Sequence, residues 1–159
     1  MPDKKIVPEK IVPEKIVPEK IVPEKIVAEK ITRATAKLFI DAGEAVLKEF
    51  TLKNNRRADL IALGPRQKIS IIEVKSSRQD FLSDKKWPEY IEFADYFYFA
   101  VAEDFPMEIL PDVEQCGIIL SDGFDSLITR PAPLRPLAGA RRAHLIRKLA
   151  VTAMGRIEI

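Results

Sequence analysis

The chain has 159 residues, 47% of them hydrophobic, and a formal net charge of only +2 at pH 7. That apolar content, over that length, is enough for one domain with a buried core. A single cysteine, Cys116, excludes an intramolecular disulfide framework, and no apolar run approaches the ~20 residues of a membrane-spanning helix. The first residues are charged and interrupted by proline, unlike a secretory signal, so we expect a cytoplasmic protein.

The charges are distributed unevenly along the chain. Residues 48–86 contain ten lysines or arginines against five acids, and residues 130–159 contain seven against one. Residues 89–125, in contrast, contain ten acids and neither lysine nor arginine. If the two basic segments meet in space, they form a surface suited to a polyanion such as DNA.

The N-terminal segment is a sequence repeat. Residues 6–25 are four identical copies of IVPEK, and residues 26–30 are a fifth copy with Ala28 in place of proline. Proline at every fifth position prevents a helix interior and favours an extended or disordered chain. We therefore divide the chain into a tail, residues 1–27, and a domain, residues 28–159. The composition leaves open whether the repeats are dispensable or bind a partner.

From Ala28 onward the pattern predicts alternating helices and strands. The predicted elements are a helix from about Ala28 to Gly43, strands at 45–52, 59–63 and 69–74, short helices at 78–82 and 87–93, a strand at 96–102, a hairpin of 116–120 with 126–129, and a helix at 138–156. The apolar residues expected to be buried on that last helix are Leu145, Ile146, Leu149, Ala150, Ala153, Met154 and Ile157.

Two short apolar segments, 59–63 and 69–74, flank a Gly-Pro turn and predict a β-hairpin. Strand side chains alternate between the two faces of a sheet. With the reversal in the middle of the turn, Asp59 therefore lies opposite Glu73, and Lys75 continues the same face. One stripe of the hairpin is thus aliphatic for most of its length and ends in two acids and a lysine.

Two facing carboxylates in an apolar hairpin are costly to desolvate and repel each other, so a bridging cation would stabilise them. Mg²⁺, with Mn²⁺ as a substitute, suits oxygen ligands from Asp59, Glu73 and the backbone carbonyl of Val74. The alternative is a surface ion pair between Glu73 and Lys75 on an edge strand, with Asp59 neutralising a neighbouring arginine. The apolar sequence around Glu73 favours a central strand instead.

The pattern of Asp59 followed by Glu73, Val74 and Lys75 resembles that of the PD-(D/E)XK nuclease superfamily. The segments RRADLIALG, IIEVKSSRQDFLSDKKW, DYFYFAVAEDFP and LAGARRAHLIRKLA resemble, more specifically, the MmcB-like family of DNA repair endonucleases. This resemblance covers nearly everything from Ile31 onward. Two features depart from it, because Val74 stands where the family has cysteine and the IVPEK array is foreign to the family.

The resemblance implies an α/β fold with a restriction-endonuclease-like core, in which helices flank a mixed β-sheet. It assigns Asp59 and Glu73 to metal binding and Lys75 to the water nucleophile. The implied function is metal-dependent hydrolysis of phosphodiester bonds in DNA repair, with DNA and other repair proteins as partners. The alternative is a catalytically silent nucleic-acid-binding scaffold of a repair complex.

Basic residues near the motif and on the last helix are candidates for contact with the DNA backbone. They are Arg56, Arg57, Arg78, Lys85, Lys86, Arg141 and Arg142. The alternative for each of them, taken alone, is an ordinary solvated surface charge. Asp80 and Asp84, which follow the motif, either extend the metal site or cap short helices.

Overall fold

The structure of the protein is a computed structural model that describes residues 22–159. The elements in chain order are α1 (Glu24–Asp41), β1 (Ala45–Thr51), β2 (Arg57–Leu63), β3 (Ile69–Lys75), α2 (Arg78–Ser83), α3 (Pro88–Ile91), β4 (Tyr96–Ala102), β5 (Gly117–Ser121), β6 (Ser126–Arg130) and α4 (Gly139–Gly155). Short 3₁₀ helices lie at Pro65–Gln67 and Met107–Ile109. The predicted extended or disordered tail falls almost entirely on residues 1–21, outside the described residues.

The six strands form one mixed sheet in the order β1-β2-β3-β4-β5-β6. Strands β3, β4 and β5 run parallel, and the pairs β1/β2, β2/β3 and β5/β6 are antiparallel. Helix α1 covers one face and helices α2, α3 and α4 pack on the other, so each face has its own apolar cluster. All seven residues of β3 are buried, as its apolar sequence predicts for a central strand. The predicted mixed sheet flanked by helices is confirmed.

Helix α1 begins four residues before the predicted start, at Glu24 instead of Ala28. Pro23 is its N-cap residue, and the Pro23 carbonyl accepts hydrogen bonds from the amides of Ile26 and Val27. A proline at the start of a helix costs little, because the amide it lacks would have no partner there. The last proline of the repeats therefore marks the helix start, and the helix extends back to it.

The start of α1 predicts different effects for two N-terminal deletions. A chain that begins at Val22 should unfold at the same temperature as the full chain, because the described core is complete in residues 22–159. A chain that begins at Ala28 lacks the first turn of α1 and the partly buried Val27, and should lose about 1–2 kcal/mol of stability. Thermal unfolding of the three proteins checks this, and equal melting temperatures would contradict it.

Helix α4 is less buried than predicted. Leu145 and Leu149 are in the core, but Ala150 is exposed, and Met154 and Ile157 are 70% and 66% exposed. The reason is the edge of the sheet: Arg156, just past the end of α4, donates hydrogen bonds to backbone carbonyls of the edge strand β1. Since β1 is the outermost strand of the sheet in residues 22–159, the final turn of the helix lies at the sheet edge.

The remaining predicted helices and strands are present, with boundaries that differ by one or two residues. Ser77 is the N-cap residue of α2, and its hydroxyl accepts a hydrogen bond from the Asp80 amide at 3.1 Å. Among residues 22–159, no helix has both the length and the apolar character needed to cross a membrane.

Candidate catalytic site

The β2/β3 hairpin has the predicted register, with Leu63 opposite Ile69 and Ile61 opposite Ile71. The ladder of backbone pairs stops just before the two acids, and their side chains continue the connection between the strands. The Asp59 amide donates to Glu73 Oε1 at 3.1 Å. In the opposite direction, an amide of β3 donates to Asp59 Oδ2 at 2.8 Å. The strands thus separate at the predicted acid pair, and each carboxylate binds the backbone of the partner strand.

Strand β2 changes orientation at Asp59. Ala58 packs in the core beneath α2, α3 and α4, whereas Leu60 packs in the core beneath α1. Residues two apart on a regular strand share one face, so the strand must turn over between them. On the neighbouring strand β1, Glu49 has a positive φ of 49° at the corresponding position. Asp59 therefore meets Glu73 at a local distortion of the sheet, not at the end of a regular ladder.

The Asp59 side chain lines a cleft of about 390 Å³ between β1, β2 and the start of α1. The other residues of its lining are Lys25, Ala28, Glu29, Thr32, Lys48 and Glu49. Lys25 belongs to the fourth IVPEK copy, so the end of the repeat array contributes to the surroundings of the site. The sequence prediction assigned residues 1–27 to a separate tail and therefore did not include Lys25 in the site.

Burial dominates the electrostatics of the acid pair. Glu73 is only 4% exposed, and this burial together with the nearby charge of Asp59 holds the Glu73 pKa well above its usual range. Burial also raises the pKa of Asp59, although the hydrogen bond from the Val74 amide and the charge of Lys75 oppose that shift. Ionising both carboxylates is therefore unfavourable without a cation beside them.

Lys75 is also buried, at 6% exposure, and its Nζ lies 2.8 Å from Asp84 Oδ2. Burial alone would lower the Lys75 pKa, but the hydrogen bond and charge of Asp84 outweigh it and the pKa is raised. For Asp84, the hydrogen bonds from Lys75 and the Lys86 amide overcome burial and lower the pKa. Asp84 thus keeps Lys75 charged, whereas Asp80 caps α2 through the Ser76 amide at 3.0 Å.

Tyr90 is a further buried polar group beside the acids. Its hydroxyl donates to the Arg57 carbonyl at 3.0 Å, which ties α3 to the start of β2. Burial and the charges of Glu73 and Asp59 raise the Tyr90 pKa, so its hydroxyl stays protonated. The Tyr90 ring stacks on Phe97 with ring centroids 6.2 Å apart. Only the tertiary structure shows the contact of Tyr90 with the site strand.

The donor set fits a hard divalent cation. Asp59, Glu73 and Asp84 all interact with the single ammonium group of Lys75, so ionising all three acids would leave the cluster negative. Hydrogen bonds within residues 22–159 use only one oxygen each of Asp59 and Glu73. No cluster of three or more His, Cys, Asp or Glu side chains in this part of the chain is arranged for a metal. Asp59 and Glu73 would therefore need the Val74 carbonyl and water to complete a Mg²⁺ coordination shell.

The predicted DNA-contact residues fall into two groups. Five of them lie at the acid-pair end of the hairpin and along α2: Arg56, Arg57, Arg78, Lys85 and Lys86. Arg78 and the two lysines are exposed at the ends of α2, close in sequence to the Lys75–Asp84 ion pair. Arg56 is held by Glu89, with Nε to Oε2 at 2.7 Å. Arg57 is exposed and lies 3.7 Å from Glu49.

Arg141 and Arg142 lie at the other end of β3. Arg142 donates to both carboxylate oxygens of Asp95, at 2.6 and 2.7 Å, and Asp95 is fully buried. Asp95 also accepts from the amide of Ile69, the first residue of β3, which is about 20 Å from Lys75 along the strand. Arg142 therefore anchors α4 to the sheet and lies away from the acid pair. Sequence reasoning missed Asp95; its one signal was an acid directly before a fully apolar strand.

Comparison with known proteins identifies the family. The family model described as "DNA repair protein MmcB-like" matches residues 14–159. Among solved structures, the SPO1766 protein of unknown function from Silicibacter pomeroyi is similar, with 38% identity and a TM-score of 0.77 over 82% of this chain and 88% of that one. No curated protein matches. Because this family model covers most of the chain, the chain belongs to the MmcB-like family of DNA repair proteins.

Proposed function

We propose that the protein is a divalent-metal-dependent DNA endonuclease that hydrolyses phosphodiester bonds during DNA repair. The observation that carries this proposal is the cluster of half-buried Asp59 with buried Glu73 and Lys75 at the point where β2 and β3 separate. Burial of Glu73 and Lys75 beside a second acid costs stability, and a fold without chemistry to perform there would gain by replacing them.

Each residue of the cluster has a distinct role in this proposal. Asp59 and Glu73 would hold Mg²⁺ or Mn²⁺ through the oxygens that no backbone amide occupies. The bound metal would polarise the scissile phosphate and lower the pKa of an attacking water. Lys75 gives one of its three N–H groups to Asp84, so two remain to orient that water and to offset negative charge on the pentavalent phosphorus.

The raised pKa of Lys75 favours a role as a charged hydrogen-bond donor over a role as a base. An ammonium group stabilised by Asp84 is charged at neutral pH and is a poor base. Lys75 is therefore better suited to hydrogen-bond donation and charge stabilisation than to removal of a proton from water. Arg78, Lys85 and Lys86, exposed beside the cluster, would hold the DNA through its phosphates, without sequence preference.

Replacement of Lys75 with alanine tests the proposal. We expect cleavage to fall by roughly 10²–10⁴-fold, because the variant loses the donor that stabilises charge at the phosphate. The matched control is Arg78→Ala, an exposed backbone-contact candidate, which should weaken DNA binding and leave the rate at saturation nearly unchanged. Cleavage of single-stranded, nicked and duplex DNA with Mg²⁺ or Mn²⁺ is the measurement.

Two outcomes would contradict the proposal. If the wild-type protein binds DNA but cuts none of these substrates with either metal, the non-catalytic scaffold is the better description. If cleavage persists in both Asp59→Ala and Lys75→Ala, the activity does not come from this cluster.

A further inference from the structure

A second cleft, of about 600 Å³, lies between α4, the segment after α3 and the turn that joins β1 to β2. We call it the α4 cleft; its lining is Lys53, Phe93, Ala138, Ala140, Arg141, His144, Leu145 and Lys148. Every ionisable side chain in this lining is basic. The cleft beside Asp59, in contrast, mixes Lys25 and Lys48 with two glutamates and the aspartate.

Most of the positive charge in the α4 cleft is available to a ligand. Among its basic side chains only Arg141 forms an ion pair within the described residues, with Glu92 at 3.2 Å. Lys148 lies over the Phe50 ring, with Nζ 5.7 Å from the centroid, and Arg141 lies over the Phe93 ring at 5.1 Å. The aromatic rings support these cations without neutralising them.

The α4 cleft is connected to the acid pair through the β1–β2 turn. Lys53 lies in that turn, which is closed by a 2.7 Å hydrogen bond from the Leu52 amide to the Arg56 carbonyl. Arg57, which is exposed and lies 3.7 Å from Glu49, follows in the chain, and Asp59 comes two residues later. A polyanion that occupies the cleft could therefore follow positive charge from α4, past the turn, to the site of cleavage.

We propose that the α4 cleft binds the phosphodiester backbone of DNA at a distance from the scissile phosphate. The proposal rests on the DNA substrate inferred above and adds a second contact region to it. The volume lies in the range of pockets that hold a nucleotide-sized group. The basic residues that bind there are Lys53, His144, Lys148 and Arg141, whereas Arg142, bound to Asp95, takes no part.

The test is DNA affinity in the double variant Lys53→Gln/Lys148→Gln, which removes two charges but keeps the polar ends and most of each stem. A fluorescent duplex in EDTA, with the anisotropy followed against protein concentration, measures binding without cleavage. We expect affinity at low salt to fall by roughly 10-fold or more. The slope of log K against log[salt] should become shallower by about 1.8, because each phosphate contact contributes about 0.9.

The matched control is Lys30→Gln/Lys37→Gln on α1, at the opposite face of the sheet. It removes the same formal charge, and Lys30 likewise lies over an aromatic ring, that of Phe124, at 5.9 Å. Lys37, unlike Lys53, forms an ion pair, with Asp125 at 2.6 Å. Equal affinity and salt slope in the two double variants would overturn the proposal, as would wild-type protein that does not bind DNA. The proposal would also fail if the Lys53→Gln/Lys148→Gln variant no longer bound inorganic phosphate but bound DNA as the wild-type protein does. That result would indicate a small-anion site.

The cleavage assay separates this inference from the proposed activity. If the α4 cleft only binds DNA, the Lys53→Gln/Lys148→Gln variant should show a raised KM and an unchanged kcat. If the wild-type protein never cuts DNA but the double variant still loses affinity and salt slope, the α4 cleft is supported and the nuclease proposal fails.

Discussion

Replacement of Glu73 with glutamine should abolish metal-dependent cleavage and, in the same protein, increase stability. Glutamine keeps an oxygen for the Asp59 amide but cannot supply an anionic metal ligand. At neutral pH it also removes a buried carboxylate whose pKa is raised by burial and by Asp59. We expect a gain of about 1–2 kcal/mol without metal, or roughly 2–8 °C in melting temperature. Thermal unfolding in EDTA and a cleavage assay measure both effects.

The pH dependence of this stability difference has a defined sign. An acid with a raised pKa in the folded state binds its proton more tightly there, so the folded protein gains stability as the pH falls through that pKa. The advantage of Glu73→Gln should therefore shrink as the pH approaches 4.5, the ordinary glutamate value. The control is Glu108→Gln, an exposed glutamate, which should change neither activity nor melting temperature.

Metal binding gives a readout that does not depend on activity. Mn²⁺ should raise the melting temperature of the wild-type protein, because a ligand bound to the folded state stabilises it. The shift should disappear in Glu73→Gln. A variant that keeps the Mn²⁺ shift, or is less stable than wild type in EDTA, would show that Glu73 is a structural residue and not a metal ligand.

Replacement of Asp95 with asparagine should cause the largest loss of stability. Both carboxylate oxygens of Asp95 accept hydrogen bonds, one from the Ile69 amide and the other from the Leu137 amide, and both also bind Arg142. Asparagine at this position would place its NH₂ group, which is itself a donor, against the backbone amides and the guanidinium that bind the carboxylate. Breaking a buried ion pair from one side costs about 3–5 kcal/mol, which predicts a melting temperature lower by roughly 6–20 °C.

The same ion pair makes the protein sensitive to strong acid. Arg142 and the two backbone amides outweigh burial and hold the Asp95 pKa at about 2, compared with 3.8 in the unfolded chain. A lowered pKa contributes stability above the unfolded value, and that contribution is lost as the pH falls from about 3.8 to about 2. Its size is about 2 kcal/mol, from the shift between the two values.

Asp112→Asn, at an exposed loop position, is the matched control for Asp95→Asn and should leave the melting temperature unchanged. A double variant, Asp95→Asn with Arg142→Met, should recover part of the loss, because it no longer leaves the guanidinium without its partner. If Asp95→Asn unfolds at the same temperature as wild type, the ion pair does not anchor α4.

Local pattern was sufficient to predict most of the fold. The alternation of β2 and β3 gave the hairpin register, and the apolar sequence of β3 predicted its central position. Two predictions, the start of α1 and the burial of α4, were wrong for the same physical reason. The extent of α1 and the burial of α4 depend on what lies next to each helix, namely a proline that serves as a cap and a sheet that ends at β1.

For the candidate site, too, the sequence predicted some features and only the structure revealed others. The sequence alone determined that Asp59, Glu73 and Lys75 lie near each other, because strand geometry relates positions on a hairpin directly. Only the tertiary structure decided the partners of these groups: Asp84 for Lys75, Tyr90 beside the acids, and Asp95 for Arg142. These contacts join segments whose separation in the chain carries no periodic signal, so they follow from the packing of helices against the sheet.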